Sequence, residues 1–190
     1  MYAVEDDPYC YPGSTVLRNA FAIRDGQVLE DLESELTTAR ADEPFPEGAL
    51  DEAHFRAVHF HLFQDLYEWA GETRTVRLSK GESHFCYPEH IDDQLVTLFG
   101  GLNSDNHLKD LTRDGFAKKA AAFLTTLNVI HTFREGNGRA QLSFLLLLSE
   151  NAGRPLDLAH MDPAAMLEAM IASFFGDERS LTKILYDMIV

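Results

Sequence analysis

Apolar residues recur at steps of three and four along most of the chain, the spacing of one face of an α-helix. In GQVLEDLESELTTAR, residues 26–40, Val28, Leu29, Leu32 and Leu36 fall on that spacing. ADEPFPEGA, with two prolines and a glycine, predicts a loop. LDEAHFRAVHFHLFQDLYEWAG, residues 50–71, predicts a long second helix with the stripe Phe55, Val58, Leu62, Leu66 and Trp69 and a stop near Gly71. HIDDQLVTLFGGLNS predicts a third helix that ends at its paired glycines. Thr112 stands as N-cap to DGFAKKAAAFLTTLNVI, where Phe116, Ala120, Phe123, Leu127 and Ile130 repeat. A further helix is predicted from about Asn137 to Asn151, closed by Gly153 and Pro155. Asp162 and Pro163 open the next, and a last one begins near Asp177.

TRTVRLSKGESHFCY, residues 73–87, breaks the helical pattern. Thr73, Thr75, Val76 and Leu78 carry β character and the turn SKGES divides them from HFCY, which predicts a short β-hairpin. YCYPG, residues 9–13, reads as a turn. The fold class is therefore all-α, a helical bundle with one small β-hairpin. Its 190 residues favour one domain, and folding at this size buries roughly 70% of the unfolded chain's surface, enough for a core without staples.

Charge narrows the partners. A net charge of −15 argues against direct nucleic-acid binding, which needs a basic face, and against an anionic membrane surface. Cys10 and Cys86 are far apart and outside any CxxC, which fits free thiols in a reducing compartment. MYAVEDDPY lacks the basic start and apolar run of a signal peptide, and no long uncharged apolar run is present. A soluble, intracellular protein is expected.

HTFREGNGRAQ, residues 131–141, concentrates polar groups between the apolar runs AAAFLTTLNVI and LSFLLLL. It joins the C-terminus of one predicted buried helix to the N-terminus of another. A helix N-terminus presents unpaired N–H groups and the positive end of a dipole. Gly136 and Gly138 lack a Cβ, so the backbone can form a nest around an anion, and phosphate suits such a nest. Arg139 adds a fork of charged donors and Asn137 a side-chain amide. Glu135 has the wrong sign for phosphate unless Mg2+ lies between them. His131 ends the preceding helix; an imidazole suits a general base near neutral pH, and the negative helix end is expected to raise its pKa. Phe133 reads as a core anchor. His54, His59 and His61 lack the spacing of a zinc site and are expected to be packing or surface histidines.

HTFREGNGR resembles the signature of the Fic family, HxFx(D/E)GNGRxxR, usually with proline in second position. TRTVRLSKGESHF is similar to the family's flap hairpin, and YPGSTVLRNAFAIRDGQVLEDLE to the start of bacterial members. The resemblance runs from about Tyr9 to the end. It implies a single Fic domain over residues 1–190, with a core at about 50–175 and an N-terminal extension at 1–49. It also implies a Fic-fold bundle that transfers AMP from ATP to a Ser, Thr or Tyr hydroxyl of a target protein. In that reading His131 is the general base and Glu135 holds Mg2+. Gly136, Asn137 and Gly138 form the anion hole, Arg139 binds the distal phosphates, and Arg134 joins the nucleotide-binding set. Lys80 and Gly81 belong to the flap, which clamps the target beside the nucleotide, and count with the nucleotide site.

Two positions depart from the family pattern. Thr132 replaces proline and Leu142 replaces the second arginine, whose loss weakens ATP binding by about 1–3 kcal/mol or marks another nucleotide donor or another mode of restraint. The family's inhibitory pattern (S/T)xxxE(G/N) does not occur in the chain, which implies restraint by a separate small antitoxin-like protein. By resemblance alone, targets include type II topoisomerases, and some members are delivered into host cells. Two alternatives stand beside AMP transfer: transfer of phosphate, as in the Doc branch, and a nucleotide- or protein-binding module without catalysis. The intact GNGR favours AMP transfer.

Overall fold

The computed structural model describes residues 7–190, so most of the stretch read for a signal peptide lies outside the described residues. Among the described residues are seven α-helices and one two-stranded hairpin, the expected all-α architecture. The helices are α1 (Gly26–Ala41), α2 (Glu52–Phe63), α3 (Ile91–Ser104), α4 (Arg113–Ile130), α5 (Asn137–Asn151), α6 (Pro163–Phe174) and α7 (Arg179–Met188). The antiparallel strands β1 (Ser79–Lys80) and β2 (Ser83–His84) pair Ser79 with His84 and Lys80 with Ser83. No helix among the described residues is long and apolar enough to cross a membrane.

The bundle is built around α4, which packs against α3, α5, α6 and α7. Thr112 caps it as expected, its hydroxyl accepting the Gly115 N–H at 3.1 Å. Ala117, Ala120 and Ala121 are fully buried, and their small side chains let neighbouring helices approach. Phe144 of α5 meets the edges or faces of Phe55, Phe99 and Phe123 with centroids 5.7, 5.4 and 6.0 Å away. Each such buried ring contributes about 2 kcal/mol. The cluster fixes α2, α3, α4 and α5 to one another.

Two predicted helix ends are corrected. α2 stops at Phe63 rather than near Gly71, and the chain continues in tight turns. There the Leu66 carbonyl accepts from Ala20 (2.9 Å) and the Ala70 N–H turns to Tyr67 (3.1 Å), so the helical bond between them is not made. These turns still bury Leu66, Tyr67 and Ala70. Conversely, α3 runs through Gly100 and Gly101 to Ser104. Buried Phe99 and Leu102 flank the pair, and their packing outweighs the weak helix propensity of glycine, about 1 kcal/mol each.

Candidate active site

The chain leaves α4 at His131 in the left-handed conformation (φ 50°) and enters α5 through Gly136 (φ 77°). For a non-glycine residue this costs about 1–2 kcal/mol, so the surroundings must hold His131 in place. Asn137 staples the turn: its amide donates to the Phe133 carbonyl at 2.7 Å, and its oxygen accepts the Phe133 N–H at 2.9 Å. Phe133 is fully buried, as expected of an anchor. Gly136 lies directly on the Phe63 ring, where a methyl group would overlap it, so its close approach and positive φ both require glycine.

Arg74, which the sequence did not single out, secures the histidine from below. It is fully buried, and its guanidinium donates to the carbonyls of His131 (2.7 Å), Val76 (2.6 Å), Cys86 (2.6 Å) and Ile130 (3.3 Å). It thereby caps the end of α4 and ties it to both arms of the hairpin. Phe85, just beyond β2, stacks on the His131 ring with centroids 3.8 Å apart. Burial, then the charges of Arg74 and Lys80, lower the His131 pKa to about 3, against a hydrogen bond with the Asn128 backbone. The expected upward shift is therefore corrected. The carbonyls that form the negative helix end already face a buried guanidinium, and desolvation disfavours the imidazolium further. His131 is neutral at pH 7, so one of its ring nitrogens carries a lone pair.

A cavity of about 770 Å³ opens between this junction, the hairpin and α6. His131, Glu135, Gly136, Gly138, Arg139, Lys80 and Gly81 all line it, so most of the expected site residues meet in one space. Leu142 lines it as well, and Met166 and Met170 of α6 contribute to an apolar wall. The Glu135 carboxylate accepts the Gly136 N–H at 3.0 Å. Burial raises its pKa, and the nearby Glu33 charge adds to the effect. Among the described residues no three His, Cys, Asp or Glu side chains cluster as a metal site. The donor set fits Mg2+ as one carboxylate that a ligand's phosphate oxygens would complete.

Two residues expected among the nucleotide contacts do not line the cavity. Arg134 is buried and pairs with Asp7 at 2.7 Å, beside Cys10, where it holds the N-terminal segment. Asn137 spends its amide on Phe133 and does not line the cavity; it shapes the loop instead. Arg139 does line the cavity, but α1 already grips it. One Nη donates to Glu33, the other to Thr37 at 3.1 Å, and Phe63 lies 4.7 Å beneath the guanidinium. The Tyr67 hydroxyl donates to the second oxygen of Glu33. Burial and Glu33 raise the Tyr67 pKa, so it stays a donor. The three histidines of the α2 region hold backbone groups, as expected of packing residues. His54 serves Leu50 and Pro46, His61 serves Arg40, and His59 serves Gly71 and Glu135.

A helical bundle that brings a neutral histidine, a buried carboxylate and a glycine nest to one cavity beneath a hairpin defines a domain suited to binding phosphate esters. The chain belongs to the Fic/DOC family, whose model matches residues 49–149. It is 49% identical over 177 residues to the probable protein adenylyltransferase y4lH of Sinorhizobium fredii, covering 93% of this chain and 92% of that protein. Among solved structures it resembles BepC of Bartonella tribocorum with bound AMPPNP. There the TM-score is 0.85, the identity 29%, and 96% of each chain is covered. It also resembles the N-terminal Fic domain of a putative cell filamentation protein of Bartonella quintana with bound ADP. That match has a TM-score of 0.88 and 30% identity, and covers 96% of this chain and 94% of that one.

Proposed function

We propose that this chain is a protein adenylyltransferase that moves AMP from ATP to a Ser, Thr or Tyr hydroxyl of a target protein. The observation that supports it best is that His131, Glu135, Gly136, Gly138 and Arg139 share one cavity under the hairpin. The name of the Sinorhizobium relative and the nucleotides bound by the two Bartonella neighbours point the same way. Neutral His131 takes the proton of the target hydroxyl. The hydroxyl oxygen bonds to the α-phosphorus as the bond to pyrophosphate breaks. The N–H groups of Gly136 and Gly138 donate to phosphate oxygens, and Arg139 faces the distal phosphates. Mg2+ held by Glu135 would neutralise charge on the phosphates.

The hairpin aligns the target by pairing with its backbone. Restraint by a separate antitoxin-like protein, a type II topoisomerase as target, and a place in the bacterial cytoplasm belong to the same reading. Labelled ATP incubated with the protein and a bacterial lysate tests it. Label from the α-phosphate is expected to appear on protein. Label from the γ-phosphate alone would mean phosphate transfer, and bound nucleotide without any transfer would mean a binding module.

A further inference from the structure

His59 is fully buried, does not line the cavity, and is none of the expected site residues. Its ring lies between Phe133 and Phe63, with centroids 3.7 and 4.6 Å away and planes within 20° and 21° of parallel. Both ring nitrogens are engaged. Nδ1 receives the Gly71 N–H at 2.9 Å, and Nε2 lies 3.0 Å from the Glu135 carbonyl. A backbone N–H can only donate, so Nδ1 must carry the lone pair. The proton is then on Nε2, which donates to Glu135. The Glu135 carbonyl needs this partner: the ladder of α5 starts one residue later, with Ala140 donating to the Gly136 carbonyl.

We infer that His59 is a positioning residue for the phosphate cradle, holding the Glu135 carbonyl inward so that the Gly136 N–H faces the cavity. The reason is the geometry of the peptide unit. In a planar trans peptide the carbonyl and the following N–H point in opposite directions. Fixing the Glu135 oxygen against the buried imidazole therefore turns the Gly136 N–H outward. In this structure the Gly136 N–H donates to the Glu135 carboxylate at 3.0 Å, both residues line the cavity, and an incoming phosphate would take over that bond. Without His59 this peptide would gain by rotating its carbonyl toward water, which would turn the N–H away from an incoming phosphate. The site requires a flat ring with one acceptor and one donor on opposite sides, and neutral histidine meets all three demands. Gly71, twelve residues on, selects the tautomer, so the turns that end α2 early serve the cradle.

This inference rests on the proposed phosphate site, and its test separates the two. Inorganic pyrophosphate is titrated into the full chain while the amide signals of residues 136–138 are followed by NMR. His59→Phe preserves the ring stack and removes both bonds. His59→Gln keeps an N–H able to reach the carbonyl. His59→Phe is expected to weaken pyrophosphate about tenfold, the scale of one lost hydrogen bond, and His59→Gln about threefold or less. Unchanged affinity in a folded His59→Phe would overturn the inference alone. Pyrophosphate that leaves the wild-type cradle signals unmoved would overturn the phosphate site and the inference with it. The wild-type imidazole 15N spectrum is an independent check that does not depend on how the variants fold: the proton is expected on Nε2, and a proton on Nδ1 would overturn the inference.

Discussion

The loop between α4 and α5 and the hairpin that faces it across the cavity hold their shapes by different means. Residues 131–134 of the loop are buried, and its turns are fixed by Asn137, His59 and Arg74. The hairpin has two residues per strand, and Lys80, Gly81 and Glu82 at its tip are exposed. Its fixed points are at the base, where Arg74 holds the Val76 and Cys86 carbonyls and Phe85 stacks on His131. In the proposed reaction this contrast has a purpose. The phosphate side is organised before ligand arrives, so little ordering is left to oppose the transition state. The target side keeps strand edges unpaired for a partner segment, with few bonds of its own to break.

The largest expected effect comes from disturbing the loop's closest contact. Gly136→Ala sets a methyl group against Phe63 at a positive φ and is expected to cost about 2–4 kcal/mol in urea unfolding. Nucleotide binding should be lost with it; wild-type stability and affinity would show that the loop is softer than described. Arg74→Met removes the link between the two regions. About 3 kcal/mol of stability should go, since several buried carbonyls lose their donor. Its charge is the second cause, after burial, of the lowered His131 pKa. Without it the pKa rises toward the ordinary value, His131 protonates at higher pH, and the acid limb of the pH–rate profile moves up. An unmoved limb would show that the Arg74 charge does not set it.

Glu33→Gln sharpens the comparison from the side of α1. The amide can still meet Arg139, but the neutralising charge is gone, so ATP phosphates should bind better. Arg139 is partly exposed, which screens the effect to a fall in the KM for ATP of about threefold, read from initial rates. Lys80→Ala is the smallest perturbation to the fold. Stability should change by no more than about 0.5 kcal/mol, because the residue is exposed at the hairpin tip. A rise in the KM for the protein target without loss of stability is the expected signature.

Local pattern made much of this legible in advance. The steps of three and four along α4, with Thr112 as its cap, placed that helix closely, and the glycines between two apolar runs marked the junction. What local pattern could not show is where a polar side chain turns once the loop closes. Arg134 and Asn137 lie in the same motif as Gly136, yet both face protein rather than cavity, because Asp7 and the Phe133 backbone are nearer partners. Glu33 meets Arg139 across 106 residues of sequence, and His59 meets Glu135 across 76. Such contacts leave no periodic signal. The charged residue after the hydrophobic run of α2 that mattered most, Arg74, read simply as part of a strand-like segment. Gly71 looked like a helix stop, whereas its N–H orients a histidine.

The most direct test is single-turnover transfer from α-labelled ATP by His131→Ala beside the wild type, with ATP binding measured in both. With the base removed and the cradle intact, transfer should fall by a factor of about 10²–10⁴ while ATP is still bound. A variant that binds ATP and still transfers the label at close to the wild-type rate would contradict the role given to His131 and the reaction built on it.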